Sequence, residues 1–297
     1  MGSARFGKVL SAMVTPFDDD GALDLEGAAQ LARWLVAHGN DGLVVAGTTG
    51  EAPTLSDDEK VELWQAVRAA VDVPLLAGTG SNDTRHTIGL SERAAGCGVD
   101  GLLVVAPYYN RPPQAGLDGH MRAVAAATDL PVVMYDVPSR TARRMEVDTI
   151  VRLAREVPTI VGLKDARGNP TEAARIAADT PDDFDLYSGD DGLTLPLLSV
   201  GAVGVIGVAT HWTGELHAEM ITAYDKGDVS TAREVNARML DSFAYEATDL
   251  WQHTTGVKSL LNELGLPAGP CRLPLPPSSD EATARAREII AALGVSK

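Results

Sequence analysis

Short apolar runs alternate with stretches of helical periodicity through the first 226 residues, and this alternation restricts the fold more than any other feature of the sequence. The runs are 9–14, 42–45, 75–77, 101–105, 132–135, 160–164, 185–188 and 203–208, rich in Val, Leu and Ile without strict polar alternation. A strand that reads as continuously apolar is buried on both faces, as in a parallel sheet covered by helices. Between the runs, helical patterns occupy 25–37, 58–70, 83–97, 117–127, 146–155 and 171–178. Several open on capping residues: Ser56, Asp57 and Asp58 before Glu59, Asn82 before Asp83, and Pro170, Thr171 and Glu172. Strand–helix units of roughly 25–30 residues predict a (β/α)8 TIM barrel over 1–226. A doubly wound open sheet uses the same alternation, which by itself leaves that alternative open.

Beyond residue 226 only helical patterns remain, at 229–248, 254–264 and 280–293, with a Pro-rich stretch at 266–279. Residues 227–297 therefore read as a C-terminal helical extension packed on the barrel, giving one domain overall. A net charge of −16 argues against nucleic acid or an anionic membrane surface as partner. It also means that an anionic substrate must be drawn by a local cluster of positive groups. Cys97 and Cys271 are the only cysteines, too few for a disulfide scaffold, and suggest a reducing compartment. The N-terminus lacks the apolar core of a signal peptide, and the most apolar stretch, 195–209, is too short and glycine-rich to span a bilayer. A soluble, cytoplasmic protein is the expectation.

Lys164 stands apart from the other lysines, which fall near chain ends, in polar helical surroundings or at a helix end. It closes the apolar run Thr159-Ile-Val-Gly-Leu-Lys, at the C-terminal end of the sixth strand. Burial there disfavours the ammonium and supplies the neutral amine that attack on a carbonyl requires. The plainer alternative is an ion pair with Asp165 or Asp190. Other unusual residues cluster at the ends of other strands: Gly47-Thr-Thr-Gly-Glu51, Pro107-Tyr-Tyr-Asn-Arg111, Tyr135-Asp-Val-Pro-Ser-Arg-Thr141 and Ser188-Gly-Asp-Asp191. In a barrel this rim carries the active site. Tyr135 can serve as acid and base because strands five and six are neighbours, with Thr48 and Thr49 available as a hydroxyl relay. Read plainly, Tyr135 is a core residue with a wet end and the threonines a hydroxyl turn.

The glycine-rich Ala77-Gly-Thr-Gly-Ser-Asn82 lacks both phosphate-binding fingerprints and reads as a structural turn. The six histidines are scattered without metal-ligand spacing, and Asp190–Asp191 reads as a helix cap sooner than a cation site.

GTTGE, PYYNRP, YDVPSRT, GLKDARGN and SGDD occur in this order, together with Ser11-Ala-Met-Val-Thr-Pro-Phe17 near the start. In these segments, and over nearly its whole length, the chain resembles the dihydrodipicolinate synthase/N-acetylneuraminate lyase family. The resemblance implies that Lys164 forms a Schiff base with pyruvate and that Tyr135 is the catalytic acid and base. It further implies that Thr48 belongs to the proton relay, that Thr49 binds the pyruvyl carboxylate with backbone around Ile206, and that Gly189 lies beside the substrate. Tyr109 would complete the relay from across a tight subunit interface, so a homodimer or homotetramer is expected. No metal and no organic cofactor are implied.

Arg140 follows the Pro–Ser of the fifth-strand loop, where the synthase branch receives the carboxylate of L-aspartate 4-semialdehyde. Guanidinium suits a carboxylate through its planar fork. A surface arginine is the plain alternative in a loop that also holds Arg143 and Arg144. The implied reaction condenses pyruvate with that semialdehyde, the entry to lysine and diaminopimelate. Other readings are an aldolase acting on a sugar acid or hydroxy-keto acid, a non-catalytic keto-acid-binding barrel, and a metal-assisted hydrolase. Ala52 and Asp136 depart from the family pattern, where serine and asparagine are usual. His86 stands where the members most sensitive to lysine have glutamate, which argues against feedback by lysine.

Overall fold

The alternation closes into a ring. In the computed structural model, which describes residues 4–296, the parallel strands follow sequence order: β1 Val9–Ala12, β2 Gly42–Val45, β3 Leu75–Gly78, β4 Gly101–Val105, β5 Val132–Asp136, β6 Ile160–Asp165, β7 Asp185–Ser188 and β8 Gly204–Gly207. β8 returns to β1, with Val205 against Val9 and Ile206 against Leu10, which rules out the open sheet. Side chains alternate across each strand. Leu10, Val44, Leu76, Leu103, Val133, Tyr187 and Ile206 fill the barrel interior. Val9, Leu43, Leu75, Leu102, Met134, Leu163 and Val205 belong to the larger core between strands and helices. Both faces are dry, which is why the runs show no polar alternation.

Helices Leu25–Ala37, Asp57–Ala70, Thr84–Ala95, Gln114–Ala125, Val147–Glu156, Pro170–Asp179 and Thr210–Asp225 surround the ring. Ser56 caps the second of these in a reciprocal box with Glu59. At two starts the cap differs from expectation. Asp83, not Asn82, accepts from the N–H groups of Arg85 and His86. Asn169, ahead of Pro170, accepts from Glu172 N. Two helices of only a turn or so, Pro138–Thr141 and Thr194–Leu198, are too short to leave a periodic signal.

Helices Val229–Glu246, His253–Glu263 and Asp280–Leu293 follow the barrel. The first packs along Thr210–Asp225, where Trp212 Nε1 donates to Ser242 Oγ at 2.9 Å and the His217 ring meets Phe243. The second comes back to the barrel mouth. There Lys258 lies 2.7 Å from Glu51, the last residue of the GTTGE segment. No helix among the described residues is long and apolar enough to cross a membrane.

Lysine burial corrects one sequence expectation. Lys60 and Lys258 are buried as well as Lys164, at 7%, 2% and 4% exposure. Lys258 also donates to Pro270 O at 2.7 Å and stands 4.3 Å over the Phe17 ring, and Lys60 lies 3.6 Å from Asp57. Helical surroundings that are polar in sequence become interior once a second element docks on them.

Candidate active site

The β5–β6 register sets Tyr135 beside Lys164 and Asp136 beside Asp165. Lys164 Nζ lies 4.6 Å from the centre of the Tyr135 ring. The alternative of an ion pair with Asp165 or Asp190 fails. Arg167 Nη2 holds Asp165 at 2.5 Å, and Asp190 caps the next turn by accepting from Gly192 N at 3.0 Å. Burial pulls the Lys164 amine down to about 8; Asp191 and Glu246 oppose this and Arg140 adds to it. Gly189 leaves the room the amine needs, since a Cβ there would stand 2.9 Å from Lys164 Cγ and 3.1 Å from Cε.

A cavity of about 250 Å³ opens at this rim, and Thr48, Thr49, Tyr135, Arg140, Lys164 and Gly189 all line it. Residues from the ends of four strands thus meet around one amine. Their neighbours explain how. Thr48 and Thr49 stand in a turn after β2 in which Glu51 N donates to Thr48 O at 3.1 Å. Arg140 projects from Pro138–Thr141, and its Nη2 donates to His253 Nδ1 at 3.0 Å. Burial, then Arg140 and Lys164, push the His253 imidazole down to about 3, so it stays neutral and accepts. Tyr135 is pushed up to about 12 by burial, so its phenol is protonated at neutral pH and can donate to a departing oxygen.

Two expected residues stand elsewhere. Ile206 is fully buried in the barrel interior, and the wall on that side is Val208. Tyr109 is 89% exposed in the loop after β4 and is absent from the cavity wall. Its φ of +73°, with +49° at Arg111, puts two non-glycine residues in the left-handed region, a cost of about 1 kcal/mol or more each.

Two wall residues carry charge or protons that sequence reasoning did not place here, Glu246 and His253, and a third, Asp191, comes from the rim segment after β7. Asp191 differs from the cap expected of it: Asp190 caps, while Asp191 Oδ2 turns to accept from Val208 N at 2.8 Å. Glu246 and His253 belong to the helical extension, whose local sequence carries no motif. Burial and the nearby Asp191 push the Glu246 carboxyl well above the usual carboxylate range.

Behind the rim lies a second charged group. Asp136 is fully buried, accepts from Met145 N at 3.0 Å, and has Arg167 Nε at 3.9 Å. Burial raises it to about 7, against the bond from Met145 and the charge of Arg167.

The model described as the Dihydrodipicolinate synthetase family matches residues 5–293. A relative from Acidothermus cellulolyticus named 4-hydroxy-tetrahydrodipicolinate synthase is 53% identical over 296 residues, covering 98% of this chain and 94% of its own. Another of that name, from Moorella thermoacetica, is 50% identical over 91% of this chain and 92% of its own. Among solved structures, DHDPS from Cyanidioschyzon merolae with lysine bound superposes with a TM-score of 0.94, at 42% identity, over 97% of this chain and 98% of that one. With a closed eightfold barrel, a buried rim lysine and matches of this extent, the chain belongs to the dihydrodipicolinate synthetase family.

Proposed function

We propose that this chain is a pyruvate-dependent Schiff-base lyase that condenses pyruvate with L-aspartate 4-semialdehyde to give 4-hydroxy-tetrahydrodipicolinate. The observation that carries the reading is a lysine amine, 4% exposed and shifted to about 8, facing a tyrosine at a barrel mouth. Neutral Lys164 Nζ adds to the keto carbon of pyruvate, and the carbinolamine loses water to give an imine. Loss of a methyl proton turns the imine into an enamine, whose carbon attacks the aldehyde. The semialdehyde's own amine then adds to the imine carbon and releases Lys164.

Tyr135 delivers and removes protons in these steps, with Thr48 passing them on. Thr49 and the backbone near Ile206 take the pyruvyl carboxylate, Arg140 takes that of the semialdehyde, and Gly189 lies beside both. Tyr109 completes the relay from a second copy of the chain, in a homodimer or homotetramer. Its exposure and strained backbone support that role, because strain persists where surrounding contacts hold it. Residues 1–226 supply the chemistry and 227–297 close one wall of the site, as a single domain.

Borohydride reduction in the presence of pyruvate, followed by peptide mapping, tests the central step. The reduced adduct is expected on the peptide containing Leu163–Lys164. An unmodified peptide would overturn the reading.

A further inference from the structure

A guanidinium that receives a carboxylate must be held in place, and Arg140 finds little in its own segment to hold it. It is exposed, on the short helix Pro138–Thr141. Among the described residues its guanidinium makes a single hydrogen bond, from Nη2 to His253 Nδ1 at 3.0 Å. That same nitrogen has a second neighbour, Gln252 Nε2, at 2.7 Å. Gln252 caps the helix His253–Glu263, its Oε1 accepting from Thr254 N at 2.7 Å and Thr255 N at 3.3 Å. Backbone N–H groups can only donate, so the carboxamide is fixed with its NH2 towards the imidazole. A guanidinium can only donate as well. Donors from Arg140 and Gln252 therefore converge on His253 Nδ1, which must be a lone pair, with the ring proton on Nε2. Burial, then the cations Arg140 and Lys164, favour this neutral ring.

A guanidinium closes a fork on a carboxylate either through Nη1 and Nη2 or through Nε and Nη2. Each fork uses one of the two N–H groups of Nη2. With one of them held by His253, a single fork remains. We propose that Gln252 and His253 are a positioning pair that presents Arg140 to the aldehyde carboxylate through one fork, and so set the affinity for the aldehyde without acting on the chemistry at Lys164. The inference rests on the reaction proposed above. An untethered arginine loses rotamer freedom when its ligand binds, whereas one already tethered has lost it beforehand. Pyruvate is held at Lys164, so its affinity is not expected to depend on the pair.

Steady-state kinetics in both substrates test it. In His253→Leu, KM for L-aspartate 4-semialdehyde is expected to rise about tenfold, while kcat and KM for pyruvate stay within about twofold. His253→Asn, whose Oδ1 stands where Nδ1 does, should recover most of the loss. Both KM values rising together, neither moving, or an Asn variant as impaired as the Leu one would overturn the assignment. A double variant separates action through Arg140 from a contact of the imidazole's own. In an Arg140→Ala background, His253→Leu should lower kcat/KM for the aldehyde no further, and a second full loss refutes the pair. The wild-type enzyme gives an answer even where a variant does not fold. Nitrogen NMR on isotope-labelled histidine should show His253 as the Nε2–H tautomer at neutral pH; an Nδ1–H ring or an imidazolium contradicts the proposal. Borohydride trapping of pyruvate on Lys164 runs alongside. An adduct, with an aldehyde KM indifferent to His253, removes the positioning pair alone; no adduct removes the reaction on which it rests.

Discussion

Two buried ionisable side chains on adjacent strands face opposite ways and differ in what they do. Lys164 looks into the cavity, and its amine titrates near 8 because burial penalises the charged form. Attack on a carbonyl needs the neutral amine, whose share grows about tenfold per pH unit below that point. Single-turnover imine formation with pyruvate should therefore climb from pH 6 to 8 and level off above; a flat profile would contradict the assignment. Asp136 sits behind the same strands, facing Arg167, Asp165 and Arg144. Its folded value near 7 lies above the ordinary 3.8, so the folded state holds this proton more tightly than the unfolded chain. The stability it contributes is present below about pH 4 and lost as pH rises through about 7. Asp136→Asn should accordingly stabilise the protein at pH 8 by roughly 2–4 kcal/mol and have little effect at pH 4. Urea midpoints at the two pH values decide it.

At the scale of elements, the decisive contact is between the turn after β2 and the helix His253–Glu263. Glu51, at φ +57°, sends one carboxylate oxygen to Lys258 and accepts from Arg272 N at 2.9 Å with the other. Arg272 stacks 4.1 Å over Phe17 and reaches Thr54 O and Glu59. The extension thus grips the loop that carries Thr48 and Thr49. Glu51→Leu leaves a buried ammonium without its counter-charge and should cost about 3–5 kcal/mol in urea unfolding. Adding Lys258→Met to it removes the stranded charge. The double variant is expected to be more stable than Glu51→Leu alone; if it is less stable, the pair is not coupled in this way.

At the scale of the whole molecule, Tyr109 bears on how many chains build one site. Within one chain it stands in solvent and lines no part of the wall built by the other rim residues. If a second copy receives it, each site needs residues from two chains. Tyr109→Phe and Lys164→Met, each impaired alone, should then complement when mixed under conditions of subunit exchange. A mixed dimer holds one site with both Tyr109 and Lys164 intact. Mixtures no more active than their components would refute the shared site, and sedimentation of the wild type should show a dimer or larger.

The local sequence by itself determined the strands and most helices, because burial on two faces and helical amphipathicity are both written within a few neighbouring residues. It also marked Lys164, since a cation ending an apolar strand is a local anomaly, and the rim motifs that share its cavity. Ring closure was a tertiary matter: the β8–β1 pairing joins residues nearly two hundred positions apart and no window contains both. The same holds for Glu246 and His253, which reach the cavity only because the extension folds back over the barrel mouth, and for Lys258, polar in its own segment and buried by docking. Periodicity reports which face of an element is covered; what covers it is settled by packing between segments distant in the chain.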